Sequence, residues 1–227
     1  MQQSALFCCF VVNMFKRILA TFCLVFTVAV CFAGDDWKLS VNKDGIKIYT
    51  RPIANSKLKA IKVECNLSVR PSQLVKVIMD IDNSGQWVYH SKTAYVVRQV
   101  SASELYYYSE VSVPWPAQNR DYIAHINVSQ NPKTKVITID APCLPGMVPV
   151  KPNAVRISNS IGKWTIAPID NNTIKVEYQL EVDPAGAIPA WLINLFATEG
   201  PLKTFERLKL QLQKPEYKNV KLGFVED

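Results

Sequence analysis

Side chains that could perform chemistry are few in this chain of 227 residues, and they are scattered along it. The two histidines, His90 and His125, stand at no spacing typical of a metal site or a catalytic triad. We interpret His90 as a surface or turn residue, and the sequence contains no glycine-rich phosphate loop. A dyad of Cys143 with a histidine, or acid–base roles for Tyr107 and Asp121, are alternatives that no pattern singles out.

The most unusual polar pair is Arg120 next to Asp121, near the end of the stretch PWPAQNRDY (114–122). Because successive side chains of a strand point to opposite faces, only one of the two can face an interior. Arginine binds phosphate and carboxylate well, so a head-group site is one interpretation. The interpretation we favour is architectural, since the two prolines remove ladder donors and turn the chain between strands.

The surrounding elements are predicted from periodicity. The runs DGIKIYTR (44–51) and LKAIKVECNLSV (58–69) predict a β-hairpin, and a short helix is predicted to begin at Pro71 or Ser72. From Thr93 the period of two returns and predicts an antiparallel meander of six strands. Their sequences are TAYVVRQVS, ELYYYSEVSV, RDYIAHINVS, KVITIDA, VRISNSIGKWTIAPI and TIKVEYQLEV.

The last predicted element is a long amphipathic helix from Ile188 to about Leu212, with a kink or restart at Gly200-Pro201. A long antiparallel sheet closed by one such helix is an α+β fold that leaves space for a ligand between sheet and helix. Strand alternation points one set of side chains into that space, with Arg120 at its mouth. The set is Leu105, Tyr107, Ser109, Val111, Val113, Trp115, Tyr122, Ala124, Ile126 and Val128.

Residues 1–33 predict a secretory signal peptide. A basic start at Met14 to Arg17 precedes a run to Ala33 that is almost wholly apolar, and the switch to Gly34 indicates cleavage after Ala33. Residues 1–13 are interpreted as a mis-assigned start. We expect one domain over 34–227, exported to the periplasm or secreted. An uncleaved membrane anchor is an alternative, because the run is about as long as the shortest spanning helices, and a lipoprotein box at Cys31 is another.

Removing that segment leaves two of the six cysteines, Cys65 and Cys143. We interpret both as buried thiols, with a disulfide between them as the alternative. The formal net charge of +7 falls to +5 without Lys16 and Arg17. Because the basic residues do not cluster with aromatic side chains, we expect no nucleic-acid partner.

Five pieces of the sequence, in this order, resemble the START family of lipid-transfer domains. They are DGIKIYTR, a helix ending in DIDNSGQWV, VPWPAQNRDY, Gly162-Lys163-Trp164, and DPAGAIPAWLINLF before the last helix. The resemblance runs from about Trp37 to Leu212. It implies a helix-grip fold, in which a long curved antiparallel sheet wraps around a C-terminal amphipathic helix and encloses a hydrophobic cavity for one lipid or sterol-like molecule.

One departure from that family concerns the ligand. Some animal sterol-binding members place an arginine deeper on the strand after the Arg-Asp motif and pair it with an acid on the neighbouring strand. Ile126 and Tyr107 stand at the corresponding positions here. The cavity is therefore expected to be more apolar, and a sterol hydroxyl is not implied.

Together these observations predict a monomeric protein that binds and transfers a lipid, needs no cofactor or metal, is not an enzyme and touches membranes transiently. The loop APCLPGMVPVKPN (141–153) and the helix half Ile188 to Phe196 form the predicted gate, although Met147 could instead plug one end of the sheet. A polyketide cyclase or aromatase-like enzyme, or a non-catalytic interaction module, are the alternative functions. The expected ligand-binding residues are Tyr107, Val111, Val113, Trp115, Arg120, Tyr122, Ile126, Met147, Trp191 and Leu195.

Overall fold

Ten β-strands form one sheet in the computed structural model of the chain, which describes residues 37–53, 59–186, 189, 192–193 and 195–227. The predicted signal segment 1–33, together with Ile188 and Trp191, lies outside the described residues. The strands are β1 Lys38–Lys43, β2 Ile46–Pro52, β3 Lys59–Leu67, β4 Ser91–Ser101, β5 Glu104–Val111, β6 Asn119–Gln130, β7 Ile137–Pro142, β8 Ala154–Arg156, β9 Asn159–Asp170 and β10 Thr173–Asp183.

The order of strands across the sheet is β1-β2-β3-β10-β9-β7-β6-β5-β4, and neighbours along this path are antiparallel. The predicted hairpin is β2 and β3, and β10 joins it to the predicted meander. Short β8 pairs in parallel with the start of β6. The sheet is open, with β1 and β4 at its edges. Strand β1 was not predicted, because it is short, mostly exposed and carries only two apolar side chains, Leu39 and Val41.

The helices are α1 (Pro71–Met79), a 3-10 helix (Ile81–Gln86), a π-helix (Leu195–Glu199), α2 (Gly200–Gln211) and a 3-10 turn (Pro215–Tyr217). The predicted interruption at Gly200-Pro201 is confirmed, because the π-helix changes to an α-helix there. Proline suits the first turn of a helix, where its missing N–H has no intrahelical partner to lose. No helix of the described residues is long and apolar enough to cross a membrane.

The core lies between the sheet and the faces of α1 and α2. Helix α1 buries Leu74, Val75 and Ile78, and α2 buries Phe205 and Leu208. Leu222, Phe224 and Val225 of the C-terminal tail pack against the same core. Cys65 is buried and Cys143 is half-buried, and both are free thiols in the structure.

Candidate functional site

A cavity of about 260 Å³ lies between the sheet and the C-terminal helices. The alternation of β5 directs Tyr107, Ser109 and Val111 into it, and the alternation of β6 directs Tyr122, Ala124 and Ile126. Further lining residues come from β9, β10, the 3-10 helix and the turn after it, the π-helix and α2, and they include Gly162, Trp164, Tyr178, Leu180, Val182, Ile81, Ser84, Trp87, Val88, Phe196, Pro201, Thr204 and Phe205. Strands β3 and β7 and helix α1 also contribute to the wall. The lining is largely aliphatic and aromatic, as expected of a site for an apolar molecule.

Three tyrosines supply hydroxyl groups on the sheet side of the cavity. The rings of Tyr107 and Tyr122 meet edge to face at 5.8 Å, and their hydroxyls interact. Burial raises the pKa of Tyr107 well above its usual value and also raises the pKa of Tyr122 and of Tyr178. Burial raises the pKa of the Cys143 thiol to about 11. All four groups are therefore neutral at physiological pH.

Aromatic rings form the wall between the 3-10 helix and α2. Trp164 lies edge to face with Trp87 at 6.5 Å and stacks on Phe205 at 5.5 Å. Trp164 also meets the ring of Tyr178 at 4.4 Å. These contacts join the sheet, the 3-10 helix and α2 around one side of the cavity, and they hold each ring in a defined orientation.

Four of the predicted ligand-binding residues line the cavity: Tyr107, Val111, Tyr122 and Ile126. The predicted register of β5 and β6 is thereby confirmed over these residues. At the positions of Ile126 and Tyr107, the sterol-binding proteins described above carry an arginine paired with an acid. Here these positions hold an aliphatic side chain and a phenol, which cannot form an ion pair.

The predicted inward alternation fails beyond Val111, where β5 ends. Trp115 is 90% exposed and lies off the cavity, so its prediction as a ligand-binding residue is wrong. Val113 is buried but does not line the cavity either, and its backbone N–H donates to Asn119 Oδ1 at 3.1 Å. The chain turns at Pro114, whose carbonyl accepts from the Ala117 N–H, and a strand pattern cannot continue through a turn.

Arg120 is buried but is not part of the cavity lining. Its guanidinium donates to the carbonyl oxygens of Pro184 at 3.2 Å and of Ala185 at 3.3 Å. These residues follow β10 and lead into the C-terminal helices. The placement favours the architectural interpretation over a head-group site.

Asp121 points to the opposite face, as the alternation predicted. Its carboxylate accepts two hydrogen bonds from Arg156, at 2.8 and 2.9 Å, and one from the Tyr108 hydroxyl at 3.1 Å. Arg156 also donates to the carbonyl oxygens of Val148 and Pro149, each at 3.1 Å. On one face of the sheet, Arg120 therefore secures the chain after β10. On the other face, Asp121 holds Arg156, which in turn secures the loop 143–153.

The remaining predictions concern the gate. Met147 lies in the loop 143–153, is 37% exposed and does not line the cavity. Leu195 begins the π-helix and is also outside the lining, whereas its neighbour Phe196 lines the cavity. Trp191 lies outside the described residues.

Sequence reasoning missed the helical wall of the cavity. Ser84, Trp87 and Val88 come from the 3-10 helix and the turn after it, and Pro201 and Thr204 come from α2. The 3-10 helix has only 6 residues, too few for its period of three to stand out in the sequence, so only the tryptophan in DNSGQWV was a usable signal. The histidines lie elsewhere: His125 bonds Glu104 at 2.7 Å, and His90 packs on Tyr89.

Comparison with known proteins places this geometry in context. The chain matches the START domain family over residues 25–218. It is 28% identical over 190 residues to an uncharacterised protein of Pseudomonas aeruginosa, with 84% of this chain and 93% of that protein covered. It is 29% identical over 199 residues to the mouse phosphatidylcholine transfer protein, with 85% and 89% covered. The crystal structure of a STAR-related lipid transfer protein from Xanthomonas axonopodis superposes with a TM-score of 0.72 at 31% identity, covering 79% of this chain and all of that one.

Proposed function

Because the chain belongs to the START domain family, we propose that its cavity binds one lipid or other hydrophobic small molecule and carries it between membranes. The observation that carries this proposal is the apolar cavity between the sheet and the C-terminal helices, about 260 Å³ in volume. Each methylene removed from water into such a lining contributes about 0.8 kcal/mol to binding. A cavity of this kind therefore retains an apolar ligand without a charged anchor.

The test is native mass spectrometry of the protein purified without detergent, followed by organic extraction of any bound lipid. We expect one bound molecule per chain. Val111→Glu places a carboxylate in the lining and should abolish binding of this molecule, since a charge buried among apolar side chains is costly. Val100→Glu on edge strand β4 is the matched control, because Val100 is 45% exposed, and this variant should keep the ligand. A wild-type protein that carries no lipid and takes none from vesicles would contradict the proposal.

We propose that the loop 141–153 and the helix half Ile188 to Phe196 form the gate. Both are secured at their bases, by Arg156 and Arg120 respectively, whereas Leu144 and Met147 at the loop tip are exposed. An anchored base with an exposed tip supports movement of the tip alone. Hydrogen exchange of residues 143–147 should slow when ligand is bound, and an equal rate in both states would argue against this gate.

Transient membrane contact is proposed for the same end of the sheet. The turn after β5 and the loop after β7 lie there together, because β6 runs antiparallel to both strands. They carry exposed Trp115, Met147 and Val150, and aromatic residues favour the membrane interface. Trp115→Ala should slow lipid exchange between vesicles without reducing the amount bound, and an unchanged exchange rate would count against this contact.

Export and a binding role without catalysis complete the proposal. We propose that residues 1–33 direct export to the periplasm or the outside of the cell. N-terminal sequencing of the mature protein tests this, and we expect a start at Gly34.

Binding rather than catalysis is supported by the neutral Cys143 thiol and by the two histidines, which lie off the cavity. We also propose that the protein is a monomer and binds no nucleic acid, which light scattering and a gel-shift assay would check.

A further inference from the structure

The indole of Trp87 carries an unsatisfied hydrogen-bond donor at the cavity. Within the described residues, its Nε1 is the one buried side-chain nitrogen or oxygen atom without a hydrogen-bond partner. Trp87 is 5% exposed and lines the cavity. Buried N–H groups in folded proteins nearly always have a partner, because an unpaired one costs free energy. An unpaired donor at a ligand cavity therefore points to a partner on the ligand.

The position of this donor is defined by the local structure. The backbone N–H groups of Trp87 and Val88 both donate to the Ser84 carbonyl, at 3.1 and 2.8 Å. The indole ring packs edge to face on Trp164, with ring centroids 6.5 Å apart. Backbone and ring are both fixed, so the N–H needs little reorganisation to meet an acceptor.

The surroundings of the donor select for a neutral acceptor. All described side chains that line the cavity are uncharged, and their polar groups are hydroxyls, the Cys143 thiol and the indoles of Trp87 and Trp164. Burial raises the pKa of Tyr107, Tyr122 and Tyr178 on the sheet side of the cavity, so these stay protonated. A formal charge on the ligand would lose its hydration in this lining and gain no counter-ion from it.

We propose that Trp87 is a ligand-binding residue whose indole N–H donates a hydrogen bond to an uncharged acceptor oxygen, an ester or ketone carbonyl, of an otherwise apolar ligand. The inference rests on the proposed lipid-binding function and narrows its ligand class. The cavity selects neutral lipids with a carbonyl acceptor over pure hydrocarbons, which lack the acceptor, and over zwitterionic phospholipids, whose charges would be unpaired.

The test compares two probes of matched length, methyl palmitate and octadecane, in equal amounts in phosphatidylcholine vesicles. The protein is incubated with the vesicles and separated from them, and the ester, the alkane and phosphatidylcholine bound to it are extracted and quantified. We expect the wild-type protein to take up the ester about tenfold over the alkane, the preference that one hydrogen bond supplies. Trp87→Phe should bring the ratio close to one, and Trp37→Phe, which removes an indole that lies off the cavity, should leave it unchanged.

Because the readout is a ratio, a variant that binds less of both probes through a change in packing does not imitate the loss of the hydrogen bond. A wild-type ratio near one overturns the inference even where Trp87→Phe fails to fold, and an equal ratio in wild type and Trp87→Phe overturns it too. Phosphatidylcholine bound in preference to the ester overturns the ligand class and leaves the proposed function standing. A wild-type protein that takes up none of the three molecules contradicts the proposed function itself.

Discussion

At the scale of single residues, the most consequential pair is Arg120 and Asp121, two adjacent buried charges on opposite faces of β6. Arg120 bonds the chain that follows β10, and Asp121 bonds Arg156 of β8. The Asp121 carboxylate is fully buried, and Arg156 is the cation that compensates it. A buried charge without its partner is strongly destabilising. The stability of the fold therefore depends on the ion pair of Asp121 with Arg156, although neither residue lines the cavity.

Arg156→Met should therefore lower the free energy of unfolding by about 3 kcal/mol, because it leaves the Asp121 carboxylate buried and unpaired and frees the Val148 carbonyl. Urea unfolding measures this. Lys135→Met is the matched control, since it breaks the exposed Lys135 pair with Glu226 and should cost less than about 1 kcal/mol. Equal losses in the two variants would contradict the assignment.

Glu110 makes stability depend on acidic pH. A hydrogen bond from Lys92, together with bonds from Asn119 and Lys151, lowers the pKa of Glu110 from 4.5 to about 2. Since the folded state holds this carboxylate ionised, its contribution is complete above about pH 4.5 and is lost as the pH falls towards 2.

The stability advantage of the wild type over Glu110→Gln should therefore shrink as the pH is lowered through that window. Urea unfolding of both proteins at several pH values would show it. Glu216→Gln, at an exposed carboxylate, serves as the control. A Glu110→Gln difference that stays constant down to pH 2 would exclude the proposed linkage.

At the scale of elements, the junction between the π-helix and α2 is the feature that shapes the cavity wall. Gly200 and Pro201 both line the cavity, and a Cβ on Gly200 would lie 2.9 Å from the Leu195 carbonyl oxygen. Such a contact is too short for ordinary packing. The wide turn of the π-helix is thus compatible with glycine at this position and not with a larger residue.

Gly200→Ala should destabilise the protein by about 1 kcal/mol and change the rate of ligand release, because the π-helix must shift to relieve the contact with Leu195. Gly223→Ala is the same substitution at a site with no atom within 4 Å, and it should alter neither property. Unfolding curves and vesicle-exchange kinetics measure the two effects. Unchanged stability and release in Gly200→Ala would show that the junction tolerates a side chain.

At the scale of the whole molecule, a C-terminal tail fastens elements that are distant in sequence. Asp227 accepts hydrogen bonds from the Ser72 backbone N–H at 2.8 Å and from the Ser72 hydroxyl at 2.7 Å, at the start of α1. Gln130, at the end of β6, donates to the Glu226 carbonyl at 2.7 Å and accepts from its N–H. The tail therefore joins the start of α1 to the end of β6.

Removal of residues 222–227 should lower the melting temperature by about 4–8 °C, as expected for the loss of roughly 2 kcal/mol in a chain of this size. Three apolar side chains would leave the core and the start of α1 would lose its cap. The amount of bound lipid should not change, because the tail contributes nothing to the described lining. Loss of ligand from a protein that is still folded would show that the tail supports the cavity directly.

Periodicity was enough to predict the α+β fold and the register of β5 and β6 over Tyr107, Val111, Tyr122 and Ile126, and Pro201 was enough to predict the break at Gly200. Those features depend on local geometry, where alternation along a strand and the missing donor of proline act within a few residues. The positions of Trp115 and Trp87 relative to the cavity were decided only by the tertiary structure. A turn after Val111 carries Trp115 into solvent, and packing against Trp164 brings Trp87 to the cavity. Contacts between segments far apart in sequence have no period, so they emerge only once the chain has folded.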